Sequence, residues 1–246
     1  MTVAAGKYFS EILNRKKSFV SVFPDNFKDE ELIKCITLLH GIQGDETDWI
    51  TNVCLERLAN KYNVCFLCPS GENSFYTDHE NGDLFGRAFG EEFYEKMHEL
   101  FPISKKREDN GIIGFSMGGY GALRLGIKYS NLYSYIGAFS PALIFYKRYR
   151  NDPLFNKVFS MGLEDSENDI KILYNHFPKK NKMDIYLTCG NEDPLDKYTQ
   201  ELYKFLKDKN ANVEYDQNLG FHDFTLWRKD LVNILEKRFE KEEEIK

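Results

Sequence analysis

The chain has 246 residues, enough for one α/β domain with a full hydrophobic core but short for two independent domains. Its 33 basic and 39 acidic residues give a formal net charge of -6. Because the two signs are interspersed outside the Lys/Glu-rich tail, we expect no nucleic-acid partner. The first residues lack the apolar core of a signal peptide, and no apolar run approaches transmembrane length. We therefore expect a cytoplasmic protein with no membrane partner.

The five cysteines also favour a reducing compartment. Their number is odd, and four of them lie in or beside apolar runs, which suits buried thiols better than a disulfide framework. Cys65 and Cys68 have the C-x-x-C spacing but fall inside a predicted strand, where residues three apart face opposite ways. We expect neither a redox motif nor a metal site there, because a metal site needs a second such pair or nearby histidines.

Strands and helices alternate along the first half of the chain. The pattern predicts a half-buried strand over 18–23 and fully buried strands over 34–39 and 64–68. Apolar residues at helical spacing follow the two buried strands, over 53–62 and over 89–101. This order predicts the α/β fold class, with a mostly parallel central sheet and helices on both faces.

The second half resumes this rhythm after one interruption. The predicted elements are strands at 134–139, 183–189 and 213–216, the last of them at an edge, and helices at 195–209 and 224–239. Residues 141–182 carry scattered aromatic and charged residues without a clear period, and we interpret them as an inserted cap. The alternative is a surface excursion packed on itself.

One stretch, 110–128, carries a candidate nucleophile. It runs NGIIGFSMGGYGALRLGIK, so that Ser116 lies in G-x-S-x-G between a short apolar run and a helix-compatible segment. A strand that turns at once into a helix exposes such a serine at the end of the strand, near the positive helix amino terminus. Gly114 and Gly118 let the two backbones pass closely. The alternative is a structural glycine-rich turn with an incidental serine.

A serine nucleophile needs an imidazole to take its proton and a carboxylate to orient that imidazole. In this type of fold the order along the chain is serine, acid, histidine. Three histidines precede Ser116 and are eliminated: His40, His79 and His98. His176 lies in the predicted cap and suits a surface or packing role. His222 follows a glycine-bearing turn and introduces the final helix, so we predict that it is the base.

Asp193 is the predicted acid, because it follows a strand that ends on the same side of the sheet as Ser116. Glu192 and Asp196 are nearby competitors. The alternative role for all three carboxylates is to stabilise a helix amino terminus.

A tetrahedral intermediate needs two donors for its oxyanion. The N–H of Met117, which follows the serine, is one predicted donor, and the N–H of Ile42 in the loop after an earlier strand is the other. Gly41 and Gly44 permit close backbone approach in that loop.

These stretches together resemble the α/β-hydrolase superfamily and, more closely, the "putative esterase" family of tributyrin-type carboxylesterases, S-formylglutathione hydrolase (esterase D) and feruloyl or acetyl-xylan esterases. The stretches that carry the resemblance are LLHGIQG at 38–44 with Trp49, NSFYTD at 73–78, GFSMGGYG at 114–121, CGNED at 189–193 and FH at 221–222. The resemblance implies a single α/β-hydrolase domain over 1–246 with the cap inserted. It also implies a catalytic triad and an oxyanion hole at the positions already singled out: Ser116, Asp193 and His222, with Ile42 and Met117.

The 73–78 stretch looks most like the tributyrin-esterase branch, whose usual substrates are short-chain acyl esters. The resemblance thus implies a serine carboxylesterase that hydrolyses small short-chain acyl esters through an acyl-enzyme, with no cofactor and no metal. Where that branch often has aromatics, this chain has Pro194, Leu195 and Asp223, which bears on the substrate pocket.

Two other functions remain open. One is a feruloyl or acetyl-xylan esterase acting on the decorations of plant polysaccharides, and the other is a non-catalytic binding module on a hydrolase scaffold. The oligomeric state also stays open, a homo-oligomer included.

Overall fold

The computed structural model describes residues 2–25, 32–79, 82–143, 153, 158–159, 167–176 and 181–240. The strands among them are β1 (Thr2–Ser10), β2 (Arg15–Phe23), β3 (Lys34–Leu39), β4 (Val64–Pro69), β5 (Asn110–Phe115), β6 (Tyr135–Phe139), β7 (Asp184–Gly190) and β8 (Asn212–Asn218). They form one eight-stranded sheet in the order β1-β2-β4-β3-β5-β6-β7-β8. The pairs β1·β2 and β2·β4 are antiparallel, and the other five are parallel. The mostly parallel α/β sheet predicted from the sequence is confirmed.

Helices cover both faces of this sheet. They are α1 (Asp48–Asn52), α2 (Leu55–Tyr62), α3 (the consecutive segments Phe85–Arg87, the π-helical Ala88–Glu92 and Phe93–Leu100), α4 (Met117–Lys128), α5 (Ile170–His176), α6 (Asp196–Asp208) and α7 (Phe224–Phe239). Successive residues of a strand face opposite ways, and the neighbours Ile112 and Ile113 accordingly belong to two different hydrophobic clusters. One cluster packs under α3, α4 and α6, and the other packs under α2 and α7.

The same alternation separates the two cysteines of the C-x-x-C stretch. Cys65 packs in the cluster under α3 and α4, whereas Cys68 packs in the cluster under α2 and α7. The prediction that these residues face opposite ways is therefore confirmed. No helix formed by the described residues has the length and apolar character needed to cross a bilayer.

The amino-terminal hairpin differs from the prediction. The sequence pattern places the first strand at 18–23, whereas the structure has β1 in addition and begins β2 at Arg15. The sequence of β1, TVAAGKYFS, has no clear alternation of large apolar and polar residues, and most of the strand is exposed or half-buried. It forms through register pairing with β2 from Thr2↔Phe23 to Ser10↔Arg15, which a local pattern does not reveal.

Helix α3 begins earlier than predicted, at Phe85 rather than at residue 89. Phe93 and Met97 are buried as expected, but Leu100 is 59% exposed. It is the last residue of the helix, and the chain becomes extended at Phe101.

Most of the predicted cap lies outside the described residues, which include only 141–143, 153, 158–159, 167–176 and 181–182 of it. The cap therefore stays a prediction. Among its described residues, Phe159 packs against Phe75 with a ring-centroid distance of 5.5 Å. The backbone oxygen of Asn168 accepts a 2.7 Å hydrogen bond from the hydroxyl of Tyr120 in α4.

Candidate active site

Ser116 lies at the turn between β5 and α4, in a strained backbone conformation. Its φ is 54° and its ψ is -117°, a region that residues with a Cβ rarely adopt. The N–H of Ser116 donates to the oxygen of Phe139 at 2.9 Å, and its carbonyl accepts from the N–H of Tyr120 at 3.1 Å and of Ala142 at 3.0 Å. These bonds to α4 and to the chain around the end of β6 hold the strained turn in place.

Two glycines allow the strand and helix to meet at this turn, as the motif predicts. A Cβ on Gly114 would overlap the carbonyl oxygen of Gly118, and a Cβ on Gly118 would overlap the carbonyl oxygens of Leu39 and His40. The amino terminus of α4 therefore packs directly against the end of β3. This contact brings the N–H of Met117 next to the loop that contains Ile42.

His222 connects the serine to the predicted acid. Its Nε2 lies 3.0 Å from the Oγ of Ser116, and its Nδ1 lies 2.7 Å from the Oδ2 of Asp193. An ionised carboxylate can only accept, so Nδ1 carries the proton of the neutral ring and Nε2 is left to accept the serine hydroxyl. The imidazole is thus oriented to remove a proton from Ser116.

The loop that carries His222 is bonded to the loop that carries Asp193. The N–H of Gly220 donates to Oδ1 of Asn191 at 3.1 Å, and the N–H of Glu192 donates to the oxygen of Gly220 at 3.1 Å. These bonds join the segment after β7 to the segment after β8. They fix the separation of the two side chains.

The side chain of Asp193 is fully buried. Burial opposes its ionisation, but hydrogen bonds from His222, from the N–H of Leu195 and from the hydroxyl of Ser140 together hold its pKa below the ordinary value. The carboxylate is therefore charged at neutral pH and can stabilise a protonated His222.

The competing residues lie elsewhere. Glu192 is exposed, and Asp196 accepts hydrogen bonds from the side chains of Gln200 and Gln217. His176 is exposed at the end of α5. The three histidines that precede the serine are buried with hydrogen-bond partners of their own: His40, His79 and His98. Of these candidates, the structure brings together Ser116, His222 and Asp193.

The two predicted oxyanion donors are available for a ligand. Ile42 lies in the loop after β3, and Met117 is the first residue of α4. Within the part of the chain that the structure describes, neither N–H donates to an acceptor. Both N–H groups are therefore open to a ligand, and an oxyanion needs two such donors.

The structure gives His40 a role that sequence reasoning missed. Its Nε2 accepts the N–H of Gly71 at 2.7 Å, and its Nδ1 therefore donates to the oxygen of Gly41, also at 2.7 Å. That oxygen belongs to the same planar peptide group as the N–H of Ile42, and the two point in opposite directions. His40 thus orients the Ile42 donor. Burial lowers the pKa of His40, which favours the neutral ring this bonding requires.

The 73–78 stretch supports the same loop. Oδ1 of Asn73 accepts the N–H of Gln43 at 2.7 Å, and the hydroxyl of Tyr76 donates to the oxygen of His40 at 3.2 Å. The sequence signal was present, since a histidine directly before the glycine of an oxyanion loop is placed to bond that loop. Elimination of His40 as the base left this second role unexamined.

The assembled groups suit acyl transfer. They comprise a hydroxyl nucleophile, a neutral imidazole within hydrogen-bond distance, a charged carboxylate behind it and two open N–H donors. Among the residues described, no three His, Cys, Asp or Glu side chains cluster closely enough to hold a metal ion.

Comparisons with known proteins agree with this chemistry. A family model described as "Putative esterase" matches residues 10–237. An acetyl esterase of Caldicellulosiruptor saccharolyticus is 34% identical over 259 aligned positions, which cover 96% of this chain and 97% of the relative.

Two solved structures from Staphylococcus aureus share the fold. The fluorophosphonate-binding serine hydrolase FphF superposes with a TM-score of 0.89 at 22% identity, covering 97% of this chain and 98% of the other. The S-formylglutathione hydrolase FrmB gives a TM-score of 0.86 at 22% identity, with 97% and 100% covered.

Proposed function

The chain belongs to the esterase family described as "Putative esterase" and is a carboxylesterase of the α/β-hydrolase fold, and from that premise we propose that it hydrolyses small esters of short acyl chains through an acyl-enzyme on Ser116. The observation that carries the proposal is the continuous hydrogen-bonded series of Ser116, His222 and Asp193. Its two links measure 3.0 Å and 2.7 Å.

The reaction proceeds in two halves. The Oγ of Ser116 attacks the ester carbonyl carbon while Nε2 of His222 takes the hydroxyl proton, and the N–H groups of Ile42 and Met117 bind the resulting oxyanion. Collapse of this intermediate breaks the bond to the alcohol, which leaves with the proton from His222. Water then attacks the acyl-serine by the same route, and the acid product and the free serine are released. Asp193 holds the ring in the required tautomer throughout.

The short acyl chain is the more specific part of the proposal. It is supported by the relative at 34% identity, which is named an acetyl esterase, and by the NSFYTD stretch at 73–78. Every proton and electron pair in the two half-reactions is accounted for by ester, water and protein groups, so the proposed mechanism uses no metal and no cofactor.

A panel of 4-nitrophenyl esters of increasing acyl length tests the proposal. We expect acetate and butyrate to be hydrolysed faster than longer esters, and Ser116→Ala to lower kcat by about 10⁶-fold with little change in the thermal melt. Ser134→Ala is the matched control, because this serine is buried at the opposite end of β6 and its hydroxyl donates to the oxygens of Glu108 and Asn110, away from the candidate site.

Three results would contradict parts of this proposal. Absence of turnover at every acyl length would remove the short-chain assignment, and activity that survives Ser116→Ala would remove the nucleophile. Rapid release of ferulate from methyl ferulate with weak butyrate cleavage would instead favour the feruloyl esterase alternative.

A further inference from the structure

Arg124 is a buried arginine on α4, the helix that begins directly after Ser116. Its side chain is only 3% exposed. Its Nε donates to Oδ1 of Asn168 at 3.1 Å, and its Nη1 donates to the backbone oxygen of Tyr76, also at 3.1 Å. Removal of a charged group from water costs free energy, which these bonds to two neutral oxygens partly offset. The buried guanidinium thus joins α4 to two other segments of the chain.

Tyr76, one of the two residues that Arg124 bonds, has an unusual backbone conformation. Its side chain is fully buried, and its φ of 54° lies in the left-handed region. Its N–H donates to Oγ of Ser74 at 3.0 Å. A Cβ on Gly121 would lie 2.3 Å from Cδ2 of the Tyr76 ring, so the ring packs directly on α4. Left-handed backbone costs free energy for a residue with a Cβ, and these contacts hold Tyr76 in that conformation.

The side chain of Tyr76 contacts the oxyanion loop. Its hydroxyl donates to the oxygen of His40 at 3.2 Å, and its ring meets the His40 ring edge to face, with centroids 6.0 Å apart and an interplanar angle of 64°. His40 in turn bonds the peptide group that carries the N–H of Ile42. A continuous series of contacts therefore connects Arg124 to the Ile42 donor.

We infer that Arg124 is a positioning residue for the oxyanion hole. It fixes Tyr76, whose hydroxyl and ring hold the loop that carries the Ile42 donor. A guanidinium suits this role because its planar fork reaches two acceptors in fixed directions, whereas an ammonium is a single point of charge. The inference rests on the proposed function, because it assumes that the N–H of Ile42 binds the oxyanion.

Arg124→Lys tests this inference, because it keeps the positive charge and removes the fork. A misplacement of about 1 Å can cost about 100-fold in rate, and a donor that is displaced indirectly should move less than that. We expect kcat for 4-nitrophenyl acetate to fall by roughly 3- to 30-fold, while KM changes less than about twofold. The effect should appear in kcat because the donor binds an oxyanion that forms only in the transition state.

Arg107→Lys is the matched control. Nε of Arg107 donates to the backbone oxygen of Ser130 at 2.6 Å, and its Nη2 donates to that of Lys182 at 2.5 Å. This arginine precedes β5, so it joins two segments at the amino end of the sheet, away from the candidate site. We expect both kinetic constants of Arg107→Lys, per folded molecule, to stay within about twofold of wild type. A loss of kcat as large as that of Arg124→Lys would overturn the inference.

A spectroscopic measurement separates positioning from loss of folded protein. In a proton–nitrogen correlation NMR spectrum, the amide signal of Ile42 reports on the environment of the donor itself. We expect this signal to shift in folded Arg124→Lys and to be unchanged in Arg107→Lys. An unmoved Ile42 signal, or a loss of activity equal to the loss of folded protein, would overturn the inference.

Tyr76→Phe provides a second test, which does not require Arg124→Lys to fold well. It removes the hydroxyl that bonds His40 but keeps the ring and the backbone oxygen. We expect a loss of a few-fold in kcat and a shifted Ile42 signal. Because Arg124 acts through Tyr76, the double variant should lose less than the product of the two single losses. Unchanged kcat in Tyr76→Phe, or losses that multiply fully, would overturn the role given to the pair.

Ser116→Ala, assayed beside these variants, distinguishes the two levels of failure. If Ser116→Ala is inactive and Arg124→Lys is fully active, only the positioning role is wrong. If Ser116→Ala is active, the proposed function itself is wrong.

Discussion

The two ends of the sheet differ in which residue types adopt a positive φ in their loops. The loops that follow β3, β4, β5 and β6 contain residues with positive φ that are not asparagine: Gln43, Glu72, Phe75, Tyr76, Ser116 and Ser140. In the turns that precede β4 and β8, the described residues with positive φ are Asn63 and Asn210. Asparagine tolerates this conformation, so the turns at the amino ends carry little strain. The carboxyl ends retain strain where the candidate site is assembled.

Buried polar groups also serve different purposes at the two ends. At the amino end, Nε2 of His98 lies 3.1 Å from Oδ1 of Asn110, and Nδ2 of Asn110 donates to the oxygen of Ser104 at 2.7 Å. These bonds join neighbouring segments to one another. At the carboxyl end, His40 bonds the peptide group that carries the open N–H of Ile42, and the buried carboxylate of Asp193 lies 2.7 Å from Nδ1 of His222. Similar buried groups thus stabilise structure at the amino end and orient groups of the candidate site at the carboxyl end.

The largest expected contrast in kcat is between substitutions of two aspartates, Asp193 in the loop after β7 and Asp184 at the start of β7. Asp193→Asn should lower kcat by about 10⁴-fold, because an amide cannot hold the productive tautomer of His222. Asp184→Asn is the matched change at the amino end of the strand, where Oδ1 accepts from Asn212 at 2.6 Å. It should leave esterase kinetics unchanged. Comparable kinetics for both variants would contradict the assignment of Asp193.

The next contrast uses two buried histidines. Removal of one oxyanion donor lowers kcat by about 100- to 1,000-fold. Loss of the side chain that orients such a donor should have a smaller effect, so we expect His40→Ala to lower kcat by roughly 10- to 100-fold. Both substitutions should lower the melting temperature, but His98→Ala should leave kcat per folded molecule unchanged. Steady-state kinetics of the two variants, corrected for the folded fraction, separate loss of catalysis from loss of folded protein. Equal losses of kcat would show that His40 acts only through stability.

A buried carboxylate in α7 gives a pH-dependent prediction. Oδ2 of Asp230 accepts from the hydroxyl of Thr188 at 2.6 Å and Oδ1 from Nδ2 of Asn218 at 2.8 Å. Burial, opposed by these bonds, raises the pKa of Asp230 from 3.8 to about 6. Between these values the folded protein keeps a proton that the unfolded chain releases, so the free energy of unfolding falls as pH rises through this window.

Asp230→Asn should remove that dependence, which is on the order of 1–3 kcal/mol. Urea unfolding of both proteins between about pH 3 and about pH 7 measures it, because these limits lie roughly one unit outside the window on each side. If the difference in stability between wild type and Asp230→Asn is the same across the range, Asp230 does not titrate as described.

The smallest expected effect concerns backbone strain itself. Ser116→Gly should be more stable than Ser116→Ala by about 1 kcal/mol, because glycine relieves the left-handed conformation. Asn63→Gly should lie within about 0.5 kcal/mol of wild type, since asparagine already tolerates its φ of 48°. Denaturant midpoints of the three variants test this. A gain at position 63 as large as the gain at 116 would remove the difference between the two ends.

Much of this structure could be predicted because it depends on neighbours in the sequence. The strand β3 is a nearly continuous apolar run, and α7 has apolar residues at helical spacing, so both were predicted with their observed bounds. The elbow at Ser116 is encoded locally by its glycines. The order of serine, acid and histidine along the chain selected the same three residues that the structure brings together.

The sequence by itself determined the buried strands, the elbow and the candidate residues of the site, because short-range periodicity and turn chemistry specify them. Only the tertiary structure decided the pairing of β1, the bond of His40 to the oxyanion loop and the bond between Ser140 and Trp227. These contacts join residues far apart in the chain, 87 positions in the case of Ser140 and Trp227. Their geometry depends on how the sheet and helices pack, and no local pattern carries that information.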